Sequence, residues 1–95
     1  MITSKQRAVL RGLANPVPTI FQIGKGGVND NLIKQLDDAL EARELIKIHI
    51  LETAFLNPRD TLNELCAELG AEPVQAIGSK IVMYRESKEH KTIEI

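Results

Sequence analysis

The feature that most constrains this chain is a short glycine turn, Gly24-Lys25-Gly26-Gly27, set between segments of different periodicity. Ahead of it, Thr19 to Ile23 is β-branched and apolar and predicts a short buried strand. After it, Leu32, Ile33, Leu36, Ala39 and Leu40 recur at helical spacing and predict a helix from Asn29 to Arg43. The rest of the chain punctuates itself in the same way. Thr3 and Gln6 have the spacing of a capping box, opening a helix to Ala14 with Gln6, Val9, Leu10 and Leu13 on one side. Asn15-Pro16-Val17-Pro18 ends it, because proline cannot extend a helix and restricts the residue before it.

Leu45 to Leu51 alternates as a strand does, with Ile46, Ile48 and Ile50 on one face and Lys47 and His49 on the other. Asn57-Pro58 supplies an N-cap and a first helical residue for a third helix. Leu62, Leu65, Cys66 and Leu69 form its apolar stripe, and Gly70 stops it. Val74 to Ile77 and Ile81 to Tyr84 are strands at hairpin distance across Gly78-Ser79, expected to pair antiparallel. The charged tail, 86–95, is expected to be partly flexible. The order α-β-α-β-α-β-β over 95 residues implies one domain. Its fold class is α/β, an α+β sandwich with one mixed four-stranded sheet packed with helices. Nothing local sets the strand order.

The net charge of -1 hides a segregated distribution. Before Asp30 the chain carries Lys5, Arg7, Arg11 and Lys25 and no acid. From Glu52 to Glu72 it carries Glu52, Asp60, Glu64, Glu68 and Glu72 against Arg59 alone. That pattern fits a polarised molecule with a basic face, or equally a solvated surface with scattered charge. Arg7 and Arg11, four apart, are expected side by side on the outward face of the first helix. No apolar run reaches membrane-spanning length, and Lys5, Arg7 and Arg11 interrupt any signal-peptide stretch. A lone Cys66 fits a reducing compartment, so the expected location is cytoplasmic.

Successive amides in a glycine turn can form an anion-binding concavity, and a following helix adds unpaired N–H groups and the positive end of its dipole. Lys25 adds a mobile cation. The turn reads as a phosphate site, or as a plain strand-to-helix connection. A P-loop needs a Ser or Thr hydroxyl for magnesium that is missing here, and a dinucleotide fingerprint needs a third glycine where Asn29 stands. A bare Gly-x-x-Gly clamp on nucleic-acid backbone survives. Phe21, Phe55 and Tyr84 are the aromatic residues, too few for a stacking platform, so recognition should rest on backbone charge and shape. His49, His90 and Cys66 lack metal-ligand spacing, and Asp37-Asp38 diverge on a helix. No enzyme, metal, cofactor or small-molecule substrate is expected.

Taken together, Lys5-Gln6, Leu10-Arg11-Gly12-Leu13-Ala14, Gly24-Lys25-Gly26-Gly27, Glu44-Leu45-Ile46-Lys47, Val74-Gln75-Ala76-Ile77-Gly78 and Val82-Met83-Tyr84-Arg85 resemble, in order, the CRM domain (chloroplast RNA splicing and ribosome maturation) in its free-standing bacterial YhbY-like form. The resemblance implies a fold related to the C-terminal domain of translation initiation factor three. It implies binding of ribosomal RNA in precursors of the large subunit. Carried over by motif, the RNA-contacting residues are Gly24, Lys25, Gly26, Gly27, Lys5, Arg11 and Arg85, to which the helix spacing adds Arg7. Asn15 departs from the family's pattern, in which histidine is common after Leu-Ala, and Asp30 would compete with a phosphate at the second helix. The leading expectation is therefore a monomeric RNA-binding protein of ribosome assembly. The alternative is a protein-interaction module that docks a basic ribosomal protein through its acidic third helix. A small phosphorylated-ligand binder or enzyme is the third.

Overall fold

Local signals decide where each helix of the computed structural model begins and ends; it describes residues 2–95. The described residues form α1 (Ser4–Ala14), β1 (Thr19–Ile23), α2 (Asp30–Arg43), β2 (Leu45–Ile50), a 3-10 turn (Glu52–Ala54), α3 (Pro58–Leu69), β3 (Glu72–Ile77) and β4 (Lys80–Tyr84). Both halves of the capping box at Thr3 and Gln6 are present. Asn29 and Asn57 accept from Leu32 N and Asp60 N at 2.8 and 3.0 Å. Gly70 takes the left-handed conformation that closes α3.

The strand order is β1-β2-β4-β3. β1 and β2 run parallel because the intervening α2 crosses back over the sheet. α3 carries the chain past β2 to the far edge, where β3 lies, and the Gly78-Ser79 hairpin returns β4 into the gap. The mixed four-stranded sheet is thus sandwiched. On one face Ile46, Ile48, Ile50, Ile81 and Met83 meet Leu36 and Leu40 of α2 and Leu62, Leu65, Cys66 and Leu69 of α3. On the other, Leu45, Val74, Val82 and Tyr84 meet Leu10 and Ala14 of α1.

Three expectations change here. Val9 and Leu13 are 46% and 45% exposed, and the buried stripe of α1 is Leu10 and Ala14 instead. Val9 lies about 100° of helix arc from Leu10, and α1 meets the sheet through a narrow line that leaves this flank in water. β1 is an edge strand in which Ile23 alone is fully buried, because one of its two sides has no partner strand among the described residues. Finally, the tail beyond Glu86 is tied to α2, not left without partners. Glu44 Oε1 accepts from Thr92 N and Ile93 N at 2.6 and 2.9 Å, and Glu44 Oε2 from Ser87 N at 2.9 Å. Glu41 accepts from Ser87 Oγ at 2.5 Å and from the amides of Lys88 and Glu89.

Candidate nucleic-acid interface

The glycine turn stands at the sheet end where β1 and β2 finish. Gly27 N donates to Gly24 O at 2.9 Å and closes it. Positive φ falls at Gly27 (+64°), so the left-handed requirement lies there and not at Gly26. A Cβ on Gly26 would meet nothing within 4 Å. Lys25 and Gly26 are exposed. α2 contributes less than its proximity suggests. Val28 and Asn29 intervene, and its first turn shares a cleft of about 240 Å³ with Asp30, Glu64 and Glu68. Those carboxylates oppose any phosphate on that side.

The larger basic feature lies over the free edge of β3. A groove of about 440 Å³ runs along Pro73 to Ile77, with Arg7 and Arg11 from α1 on one bank and Arg59, Leu62 and Asn63 from α3 on the other. Its lining includes no carboxylate. The ion pairs among the described residues are Arg85–Asp37 and Lys91–Glu86, so none of the three groove guanidiniums is neutralised. Arg7 departs from its expected outward position. It is half-buried, and its Nε donates to Pro73 O at 3.0 Å, because β3 passes directly beneath that flank of α1. Arg11 and Arg59 are exposed.

Arg59 is the groove cation that sequence reasoning missed, since it stands alone among acids. One local signal was available. It lies in the first turn of α3, where the positive end of the helix disfavours a cation by about 0.3–1 kcal/mol. Glu64 and Glu68 line the acidic cleft on the other flank of α3, so the helix separates the two charges.

Groove and turn are joined across the sheet face that α1 leaves uncovered. Cross-strand pairing sets Gln22, His49, Lys80 and Ile77 in one row, and Thr19, Lys47, Val82 and Gln75 in the next. Lys47 and Lys80 therefore lie between the arginines at β3 and the strand that feeds the turn. Lys5 is exposed in the first turn of α1.

Arg85 is placed apart from the turn with which the resemblance groups it. It follows β4 at the opposite end of the sheet, roughly 17 Å away along the strands. Its Nη1 donates to Asp37 Oδ1 at 2.6 Å and Leu69 O at 3.0 Å, and its Nη2 to Asp37 O at 2.9 Å. The planar fork ties the end of α3 to α2. Arg85→Ala is expected to cost about 1–2 kcal/mol in a denaturant melt, discounted for the exposed Asp37 carboxylate. Arg85→Lys should recover only part, since one ammonium cannot span all these acceptors. Unchanged stability in Arg85→Ala would return the side chain to the list of free cations. Cys66 is a buried core side chain whose thiol is pushed up to about 12 by burial and by the nearby Glu72 charge.

Comparison with known proteins agrees with this scaffold. The family model described as the CRS1 / YhbY (CRM) domain matches residues 2–85. A Bacillus subtilis protein named probable RNA-binding protein YqeI is 50% identical over 95 residues, covering 100% of this chain and 99% of its own. A Haemophilus influenzae protein named RNA-binding protein is 30% identical over 90 residues, covering 95% and 91%. The solution structure of a Staphylococcus aureus protein superposes with a TM-score of 0.75 at 54% identity, covering 100% of this chain and 99% of that one.

Proposed function

The chain belongs to the CRS1 / YhbY (CRM) domain family, and we propose that it binds structured RNA by the backbone, with ribosomal RNA of large-subunit precursors as the target. It does so in the cytoplasm, as a monomer, without catalysis. The observation that carries this reading is the groove over β3, where Arg7, Arg11 and Arg59 converge with no carboxylate in the lining. Guanidinium is weakly hydrated and presents its donors in a fork that matches phosphate oxygens. Lys47 and Lys80 extend the cationic path, and the Gly24–Gly27 turn offers close approach at its end. The two relatives named as RNA-binding proteins support the same ligand class. The acidic cleft of Asp30, Glu64 and Glu68 favours a second reading, docking of a basic protein. Recovery of such a partner at low salt, lost in Glu64→Lys combined with Glu68→Lys, would support it.

Electrostatic gripping predicts that affinity for ribosomal RNA fragments falls steeply with salt. Lys25→Ala should weaken different RNAs about uniformly and lower the salt slope by about one unit. Gly26→Val should lose more affinity, because its branched side chain fills the open space through which a phosphate approaches. Melting temperature should hold, since nothing lies within 4 Å of that Cβ. Wild-type affinity in both variants would remove the turn from the interface and leave the groove. A salt-independent wild type would refute the backbone grip itself.

A further inference from the structure

We propose that Phe55 is a stacking platform for one unpaired nucleobase of the bound RNA, held beside the glycine turn; this rests on the RNA-binding reading above. Phe55 is 93% exposed, while Tyr84 is buried and Phe21 is partly buried against the core. It is therefore the one phenylalanine or tyrosine ring among the described residues free to offer a whole face. Its backbone is also unusual. Phe55 adopts φ +52° and ψ +40°, the left-handed region that a bulky residue rarely occupies. Burial cannot explain retaining a large apolar ring in that conformation, because the ring buries almost nothing.

The segment that carries it is held in place. Ala54 N and Phe55 N donate to Leu51 O and Glu52 O, each at 3.0 Å, and Asn57 caps α3 immediately afterwards. The same segment leans on the glycine turn. Leu51 N donates to Ile23 O at 2.8 Å, and a Cβ on Gly24 would lie 3.5 Å from Leu51 Cδ1 and 3.8 Å from Thr53 Oγ1. A phosphate on the turn thus brings a base within the neighbourhood of the ring. Glu52, Thr53 and Asn57 around it are polar, with Leu56 the other exposed apolar side chain of the loop. One ring with polar flanks suits the flat face of a single base better than the broad apolar patch of a protein interface.

The test uses the full chain and two RNA hairpins, one fully paired and one with a single-nucleotide bulge carrying 2-aminopurine. The wild type should prefer the bulged hairpin and change its fluorescence. Phe55→Ala should lose that preference, weakening bulged-RNA binding by about 5- to 100-fold. Its melting temperature and salt slope should stay unchanged, since neither core nor charge is touched. Phe55→Trp should retain the preference, and Phe55→Leu should behave like alanine. Undiminished preference in Phe55→Ala, or full rescue by leucine, overturns the stacking role. So does a ring-dependent self-association seen by sedimentation of the protein alone. A wild type that binds both hairpins equally and salt-dependently refutes stacking while the backbone grip stands. A wild type that binds neither overturns both.

Discussion

Arg11→Glu combined with Arg59→Glu is expected to lower affinity for ribosomal RNA fragments by about 100-fold at low salt, equivalent to about 3 kcal/mol. Each guanidinium supplies a charge-assisted hydrogen bond to a phosphate, and each carboxylate put in its place repels one. These positions are preferred to Arg7, whose Nε holds Pro73 O and whose loss would also disturb the contact between α1 and β3. Arg11 and Arg59 are exposed and form no ion pair among the described residues. The helix dipoles nearly cancel the cost of reversal. A glutamate in the last turn of α1 is unfavourable, and one in the first turn of α3 is favourable, by similar fractions of about 1 kcal/mol. Filter binding across a salt series should show a shallower slope, and a thermal melt should show an intact fold. Lys34→Glu combined with Arg43→Glu, two exposed positions on the far helix α2, makes the same change of four charges and controls for net charge. If it weakens binding as much as the groove pair does, the groove has no special role and the general field of the protein governs binding.

The second large effect concerns Glu44, a fully buried carboxylate at φ +66° between α2 and β2. Glu44→Ala is expected to destabilise the fold by about 2–3 kcal/mol, since three tail amides lose a charged acceptor. For a chain of this size that corresponds to a fall in Tm of about 10 °C or more. Exchange of the Ser87, Thr92 and Ile93 amides should accelerate with it. Protection of those amides in Glu44→Ala would sink the idea that the carboxylate anchors the tail. Glu44→Gly separates the carboxylate from its backbone conformation: it removes both the acceptor and the left-handed strain, and should stay below wild type.

The same latch has a pH signature. Burial pushes the Glu44 carboxyl up, but hydrogen bonds from Thr92, Ser87 and Ile93 together outweigh burial and hold it below its ordinary value. Glu41 is also lowered, by Ser87 Oγ first and then by the amides of Lys88 and Glu89. A carboxyl whose pKa is lower folded than unfolded contributes stability that is present above the unfolded value and lost as pH falls through the folded one. Tail protection should therefore be flat near neutrality and decline in acid, beginning near the ordinary carboxylate value of about 4.5. The Glu44→Ala protein should lack most of this dependence.

What the chain's local chemistry determined is its element boundaries. Caps at Thr3, Asn29 and Asn57 and the stop at Gly70 act over three or four residues, so each can be read from its own neighbourhood. The apolar stripe of α2 and the alternation of β2 are equally local, and with the turn they account for a mixed sheet packed with helices. The tertiary structure decided what depends on pairing between distant segments. It inserted β4 between β2 and β3, which made β3 a free edge. It brought Arg59 across that edge to Arg7 and Arg11, turned Arg85 inward onto Asp37, and set Glu44 against a tail that composition alone marks as loose. It also left Phe55 in water while burying Tyr84, a difference that two aromatic letters do not carry. The physical reason is range. Periodicity reports which face of an element is apolar, whereas Arg7 and Pro73 meet across 66 residues through a sheet order that no neighbouring residue encodes.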